Sequence, residues 1–323
     1  MSCDDSPFVH AASPDEGYTY MHRAFLHAFL THNVLTIDEI KPILAAVMTA
    51  HNPERPWSDG DVTAPQITNT IQMVNAKISH YDFEIRTTKD QQSKLTVHAL
   101  VNKTSDALTQ FATKFSAGEI AYIRRLLDYM FDTNNTHTRE VMAIKHTDAS
   151  NLARVRRNRQ SQINGDAEGS QASDPGILIA EADEVLATLL QESFFQKSSA
   201  QYYSLAPRAL MELRAYLKET YNESQDDVAE GEVPTIRIRD CEGCREIVTH
   251  GVRCNNRDCG VRWHDACANS YYRGRGRDQR KCLKCETECT GDVYVGERAD
   301  RITGRSSTGG GMRRRDEEKE DVE

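Results

Sequence analysis

The chain has 323 residues, of which 28% are charged and 38% hydrophobic, and its formal net charge at pH 7 is -9. A negative net charge argues against a protein that coats nucleic acid through bulk electrostatics, but it leaves room for local basic patches. No apolar run approaches the roughly 18 residues needed to span a bilayer, so no membrane association is expected. The length suggests two or three domains.

Residues 1–17 lack apolar periodicity and are expected to be a disordered N-terminus. Three helical patterns follow, and Thr36 with Glu39 forms a capping box before the second, although Pro42 favours a later start for that helix. Alternating apolar residues between 81 and 101 then predict a hairpin. Three helices and a hairpin indicate a winged-helix domain over residues 18–104. Its helical apolar positions are Tyr18, Met21, Phe25, Phe29, Ile40, Leu44, Val47, Met48, Ile67, Ile71, Val74 and Ile78.

The same pattern returns over residues 105–221, which predicts a second winged-helix domain. Ser116 and Glu119 form another capping box, and Pro207 is expected to open a single final helix that extends to Tyr221. Residues 154–175 interrupt this copy, and their polar composition predicts a disordered insertion.

Seven cysteines and one histidine form four close pairs in the C-terminal third of the chain. The spacing within each pair allows two soft donors to bind one tetrahedral ion, as in structural zinc sites. Eight donors therefore predict two zinc ions. The pairs are Cys241/Cys244, Cys254/Cys259, His264/Cys267 and Cys282/Cys285.

The gaps between the pairs favour an interleaved cross-brace, in which alternate pairs share an ion. The predicted ligand sets are Cys241, Cys244, His264 and Cys267 for one ion, and Cys254, Cys259, Cys282 and Cys285 for the other. The alternative is a disulfide framework, which is typical of secreted proteins that carry a signal peptide, and none is visible here. Cys289 is expected to be a free thiol and His250 a surface histidine.

These patterns divide the rest of the chain. Residues 222–235 are rich in acids and predict a linker, residues 236–290 form the zinc module, and residues 291–323 are expected to be a disordered charged tail. The predicted fold class is α+β, with tandem winged-helix domains followed by a zinc-stabilised cross-brace module.

The order of two winged helices and a cross-brace with histidine as the fifth ligand resembles the non-SMC element 1 family. Its members are RING-like subunits of the Smc five-six chromosome maintenance complex. The resemblance covers about Tyr18 to Cys285, and its specific part is CEGC, HGVRCNNRDCGVRWHDAC and KCLKC. It implies a RING-type ubiquitin ligase that works in DNA repair and recombination in the nucleus, on chromosomes. It also implies that the winged helices dock on a MAGE-type subunit, near a kleisin.

A RING-type ligase acts by positioning, since it grips a ubiquitin-conjugating enzyme through an apolar groove and forms no covalent intermediate. The candidate contacts with the conjugating enzyme are Ile247, Val248, Val261, Trp263 and Leu283. For Trp263, packing beside a zinc ligand is the alternative. Gly243, Leu283 and Glu286 depart from the usual RING pattern, which weakens the enzyme interpretation and predicts an activity that depends on a partner.

Two rival interpretations belong to other functional classes. One is a histone-tail reader of the plant-homeodomain type, but such fingers usually carry an aromatic residue where this chain has Arg280. The other is a structural subunit without catalytic function.

Two basic runs are candidates for DNA contact or for solvated loops. They contain Arg154, Arg156, Arg157 and Arg159, and Arg273, Arg275, Arg277, Arg280 and Lys281. The third helix of the first winged helix carries only Lys77 as a cation between Ile67 and Lys77, so protein docking is favoured there over DNA binding.

Overall fold

The structure, a computed structural model, describes residues 17–103, 111, 114–154, 176–224, 226, 228–229, 233–276 and 279–300. The segments predicted to be disordered are residues 1–17, 154–175 and 291–323, and of these, residues 1–16, 155–175 and 301–323 lie outside this part of the chain. The chain forms two compact units. The first comprises Met1–Thr87 and Thr96–Lys103, and the second comprises Thr88–Leu95 and Thr104–Glu323. None of the described helices is long and apolar enough to cross a membrane.

The first unit packs three helices against a three-stranded sheet with the strand order β1-β3-β2. Its core is formed by Phe25, Phe29, Ile40, Leu44 and Val74, which are all fully buried. This element order is consistent with the predicted winged helix. The elements are α1 (Tyr20–His32), β1 (Val34–Thr36), α2 (Ile37–His51), α3 (Ala64–Ile78), β2 (Phe83–Lys89) and β3 (Thr96–Asn102).

Helix α2 begins earlier than the sequence suggested. The capping box is present, because the Thr36 side chain accepts from the Glu39 amide and the Glu39 carboxylate accepts from the Thr36 amide at 2.8 Å. Pro42 lies inside the helix, where it removes one backbone hydrogen bond without ending the helix. The two reciprocal bonds at the cap hold the first turn in place.

Strand β3 does not follow the predicted alternation of buried and exposed residues. Val97, Ala99, Leu100 and Val101 are all at most 8% exposed. The reason is its central place in the sheet, between β1 and β2. Strand β1, which pairs with β3 in the register Leu35 to His98, was too short to be detected in the sequence.

The second unit begins with helices and a sheet of order β4-β6-β5. The final helix, which was expected to be continuous, is broken at Leu213, whose side chain is buried. The elements are α4 (Ala117–Asp128), β4 (Ile144–Lys145), α5 (His146–Leu152), α6 (Ile179–Gln191), β5 (Phe195–Lys197), β6 (Tyr202–Leu205), α7 (Pro207–Glu212) and α8 (Arg214–Tyr221).

The C-terminal part of the second unit contains a small sheet of order β8-β7-β9 and the short helix α9. It extends past residue 290, where the sequence placed a boundary, because β9 pairs with β7 in the register Tyr294 to Val252. The elements are β7 (Gly251–Arg253), β8 (Arg262–Trp263), α9 (Asp265–Tyr271) and β9 (Tyr294–Val295).

The second winged-helix region and the cysteine-rich module share one hydrophobic core, in which Leu217 and Tyr221 belong to the same cluster as Ile238 and Val248. Asn222, at the start of the predicted linker, joins the two parts. Its side-chain oxygen accepts from the Arg237 and Ile238 amides at 2.9 and 2.7 Å, and its side-chain nitrogen donates to the Ile238 carbonyl at 3.1 Å. The two parts are therefore one compact unit rather than two separately linked domains.

Candidate functional site: a module with two metal centres

The first predicted ligand set is assembled in the structure. The donor atoms of Cys241, Cys244, His264 and Cys267 all lie within 4.8 Å of one another. His264 is the residue that precedes α9, and Cys267 lies in the first turns of that helix. The helix therefore presents the third ligand pair to the loop that carries the first pair.

The second predicted set is assembled in the same way. The donor atoms of Cys254, Cys259, Cys282 and Cys285 also lie within 4.8 Å of one another. The sulfur atoms of Cys254 and Cys285 are 3.5 Å apart, and those of Cys259 and Cys282 are 3.6 Å apart. Because alternate pairs along the chain form each set, the interleaved cross-brace is confirmed.

The donor chemistry and its surroundings fit zinc. Three thiolates with one imidazole, and four thiolates, are donor sets of closed structural zinc sites. His264 Nε2 lies 3.1 Å from the Ile247 carbonyl oxygen, and a proton donated there leaves Nδ1 free to bind the metal. The Cys241 sulfur accepts from the Gly243 amide at 3.4 Å. The two clusters thus fit two zinc ions, each with four protein ligands.

Neither of the two additional candidates near these clusters joins a ligand set. Cys289 is 8% exposed, and its sulfur donates to the Thr287 carbonyl at 3.7 Å. His250 was expected at the surface but is largely buried, with Nε2 3.8 Å from Asp265. Burial, together with the nearby Arg298 charge, lowers the pKa of His250.

A buried charge cluster joins the module to the second winged-helix region. Glu140 is 7% exposed, and its carboxylate binds Arg253 at 2.7 Å and the Arg262 Nε at 2.8 Å. The two arginines are 5% and 3% exposed. Arg262 also donates to the Cys259 and Val261 carbonyls at 2.8 Å, so the cluster reaches the second metal centre.

The charge state of Glu140 follows from this geometry. Burial alone would raise the pKa of its carboxyl, but the hydrogen bonds and charges of Arg262 and Arg253 hold that pKa below its ordinary value. Glu140 is therefore ionised at neutral pH, and its charge is compensated by two arginines. No local sequence pattern marks this cluster, because Glu140 is more than 110 positions away from both partners.

The structure buries four of the five predicted contacts with a conjugating enzyme. Ile247, Val248, Val261 and Trp263 are at most 5% exposed, so they offer almost no surface to a partner. The Trp263 ring instead stacks on Tyr271 with 4.7 Å between ring centroids, which supports the packing alternative. Leu283, in the last Cys-x-x-Cys pair, is 42% exposed and is the one predicted contact that a partner can reach.

Gly243 departs from the RING pattern for a steric reason. A Cβ atom at this position would lie 3.1 Å from the Cys267 Cβ and 3.3 Å from the Trp263 ring. The close packing of the first metal loop against α9 therefore leaves little room for an aliphatic side chain there. Glu286 is exposed and has a positive φ of 57°, which places it in the turn directly after Cys285.

The basic runs are only partly described. Arg156, Arg157, Arg159 and Arg277 lie outside the described residues. The Arg275 guanidinium lies 4.9 Å from the centre of the Tyr271 ring, and that of Arg280 lies 5.9 Å from the centre of the Tyr272 ring. Contact with DNA through either run stays a prediction.

The geometry defines a class of protein in which a cross-braced module with two closed zinc centres is joined to a winged-helix-like region. A family model described as a RING-like domain matches residues 241–285, the span from first ligand to last. The model described as the Nse1 non-SMC component of the SMC5-6 complex matches residues 22–213. The chain belongs to this Nse1 family.

Curated relatives agree with this assignment. The chain is 21% identical to the human non-structural maintenance of chromosomes element 1 homolog over 83% of both chains. It is 24% identical to the homolog from Drosophila melanogaster, over 78% of this chain and 90% of that protein. A solved chain from an Nse1-Nse3-Nse4 complex has the same fold, with a TM-score of 0.61 and 18% identity over 84% of this chain and 96% of that one.

Proposed function

We propose that this chain is the RING-type ubiquitin ligase subunit of an SMC5-6 complex, acting on chromosomes in the nucleus during DNA repair and recombination. Membership of the Nse1 family and a RING-like module with two closed zinc ligand sets support this proposal. The zinc ions would hold the shape of the module and take no part in the transfer itself. The chain would bind a ubiquitin-conjugating enzyme and orient its thioester-linked ubiquitin.

The exposed side chain of Leu283 is the observation that carries this proposal. It lies between two ligands of the second zinc centre, so its backbone is held by the metal frame. A rigidly held apolar side chain suits the gripping of a partner, because little conformational entropy is lost on binding. The other apolar candidates are buried, so the contact surface is small, and the activity is expected to depend on a partner subunit.

We expect Leu283→Asp to slow ubiquitin discharge about tenfold, since losing one contact of roughly 1.4 kcal/mol in the reactive complex reduces the rate by that factor. Discharge from a panel of conjugating enzymes would be measured with and without the partner subunit. Leu178→Asp is a matched control, because Leu178 is also exposed, at 69%, but precedes α6 rather than lying between two zinc ligands.

Glu286→Arg adds a second arm to this assay. A cation beside the last zinc ligand is the usual RING arrangement, so this variant is expected to raise the rate of ubiquitin discharge without the partner.

Equal discharge by the native chain and Leu283→Asp would contradict the proposed grip. If no conjugating enzyme gives zinc-dependent discharge under any of these conditions, the non-catalytic structural subunit replaces the ligase. The burial of four predicted contacts is the observation that favours this second candidate.

The first unit is proposed to dock on the MAGE-type subunit, next to the kleisin. Leu30, Tyr81 and Phe83 are 57%, 75% and 41% exposed. They line one open groove in the first unit together with Leu26 and Ile78. Exposed apolar side chains gathered in one groove are typical of a protein interface.

The double variant Tyr81→Asp, Phe83→Asp is expected to reduce co-purification of the MAGE-type subunit at least tenfold, because two charges would be buried against an apolar partner. Tyr20→Asp is the matched control, since Tyr20 is 67% exposed in the same unit but does not line the groove. Unchanged co-purification of the double variant, with normal zinc content, would show that the MAGE-type subunit binds elsewhere.

A further inference from the structure

A polar cavity of about 390 Å³ lies beside the zinc module. It is lined by the helix α9, by strands β7, β8 and β9, by the loop that follows the last zinc ligand, and by Lys94 between β2 and β3. Trp263, Tyr272 and Tyr294 supply aromatic side chains to its lining, and Arg280 and Arg298 supply cations. None of these five residues is a zinc ligand.

Three buried hydrogen-bond donors that find no partner among the described residues belong to this lining. They are the Trp263 Nε1, the Arg280 Nε and the Arg298 Nε. All three groups can only donate. Leaving a buried donor unpaired is costly, and native proteins usually satisfy such groups. Three residues of one cavity lining therefore each carry a donor that no described residue satisfies.

The charges of the cavity favour an anionic ligand. Arg253 is paired with Glu140 at 2.7 Å, and Arg298 is paired with Asp265 at 2.9 Å. Among the described residues, Arg280 forms no ion pair and has the Tyr272 ring 5.9 Å away. Lys94, which also lines the cavity, forms no ion pair among the described residues either, so the lining has two cations whose charges are not compensated there. Anionic acceptors would compensate them.

We propose that this cavity binds a carboxylate side chain of an acidic peptide segment. A guanidinium matches the two oxygens of a carboxylate. The aromatic rings and Val252 would pack against the methylene groups of the bound side chain.

The chain itself contains a suitable segment. The run DEEKEDVE at residues 316–323 holds six acids and one lysine. It begins 18 residues beyond Arg298, which lines the cavity, and 18 residues of chain can span roughly 23 Å. A tethered segment binds at a high effective concentration. An acidic segment of another protein would supply the same chemistry, and the two sources can be distinguished by experiment.

The test uses the indole signal of Trp263 in nuclear magnetic resonance spectra of the zinc-loaded full chain. The chain has two tryptophans, and Trp57 belongs to the first unit, so Trp263→Phe assigns the signal. The first sample carries asparagine and glutamine in place of the six acids of residues 316–323. Addition of a synthetic DEEKEDVE peptide is expected to shift the Trp263 signal, whereas the same peptide with amides in place of its acids leaves it unchanged.

Arg280→Ala is expected to weaken binding of the acidic peptide about tenfold, because it removes the charge-assisted contact. Arg275→Ala is the matched control, since Arg275 packs on Tyr271 and does not line the cavity. Both variants should retain two zinc ions, which shows that the module is folded.

Comparison with the native tail identifies the source of the carboxylate. If residues 316–323 occupy the cavity, the native chain binds the added peptide at least tenfold more weakly than the neutralised chain. Equal binding by both chains assigns the carboxylate to another protein. The proposal is overturned if the acidic peptide moves the Trp263 signal no more than the amide peptide, or if only inorganic phosphate moves it.

Discussion

Replacement of Cys254 by serine is expected to release one of two zinc ions and to unfold the half of the module that this ion holds. The apolar side chains of the module are too few to form a large core of their own, and structural zinc contributes roughly 10 to 16 kcal/mol per site in finger peptides. Because the module shares its core with Leu217 and Tyr221, the loss should also lower the melting temperature of the whole second unit.

Elemental analysis measures this effect directly, with two zinc ions per chain in the native protein and one in Cys254→Ser. Cys289→Ser is the matched control, because Cys289 is a buried thiol beside the second ligand set and does not belong to it. It should retain both ions. Fewer than two ions in the native chain, or two in Cys254→Ser, would contradict the ligand assignment.

Glu140→Gln should lower the free energy of unfolding of the second unit by about 3 to 5 kcal/mol, because it leaves two buried arginines without their counter-charge. Both guanidinium groups are at most 5% exposed, so water compensates them poorly. Urea denaturation monitored in the second unit measures the loss. Glu219→Gln, at an exposed position of α8, removes a carboxylate without this environment and should change the stability by less than about 0.5 kcal/mol.

The same cluster predicts a pH dependence. The pKa of Glu140 is lowered by its arginine partners in the folded chain, so the unfolded chain binds its proton more readily. Its stabilisation is complete above the unfolded pKa of about 4.3 and is lost as the pH falls through the lower folded pKa. Acidification below pH 4 should therefore destabilise the native chain more than Glu140→Gln. If acidification lowered the free energy of unfolding of the native chain and of Glu140→Gln by the same amount, this role for Glu140 would be contradicted.

The zinc ligands and the helix caps were predictable because their signals are local. Ligands such as Cys241 and Cys244 are separated by two residues, and the Thr36 cap contacts a residue three positions away. Such patterns survive in the sequence whatever surrounds them. The pairing of distant ligands followed from the regular gaps between the pairs, and the structure confirms it.

Features that depend on tertiary packing were not predictable in the same way. Apolar residues such as Ile247 and Val261 fit a groove or a core equally well, and only the fold shows that they are buried. Charged residues such as Arg262 are expected at the surface, so nothing local marked its burial beside Glu140. The break at Leu213 likewise reflects the packing of its side chain in the shared core rather than a proline or glycine.

Both ends of the zinc module form hydrogen bonds or ion pairs with the winged-helix region that precedes it. At the entry, the Asn222 side chain binds the backbone of Ile238, and at the exit, Asp300 binds Arg139 and Lys145 at 3.0 Å each. A mechanical force applied to the module is therefore shared between two attachments that are loaded in parallel. Pulling on the module should therefore rotate the whole second unit and should not separate the module from the winged-helix region.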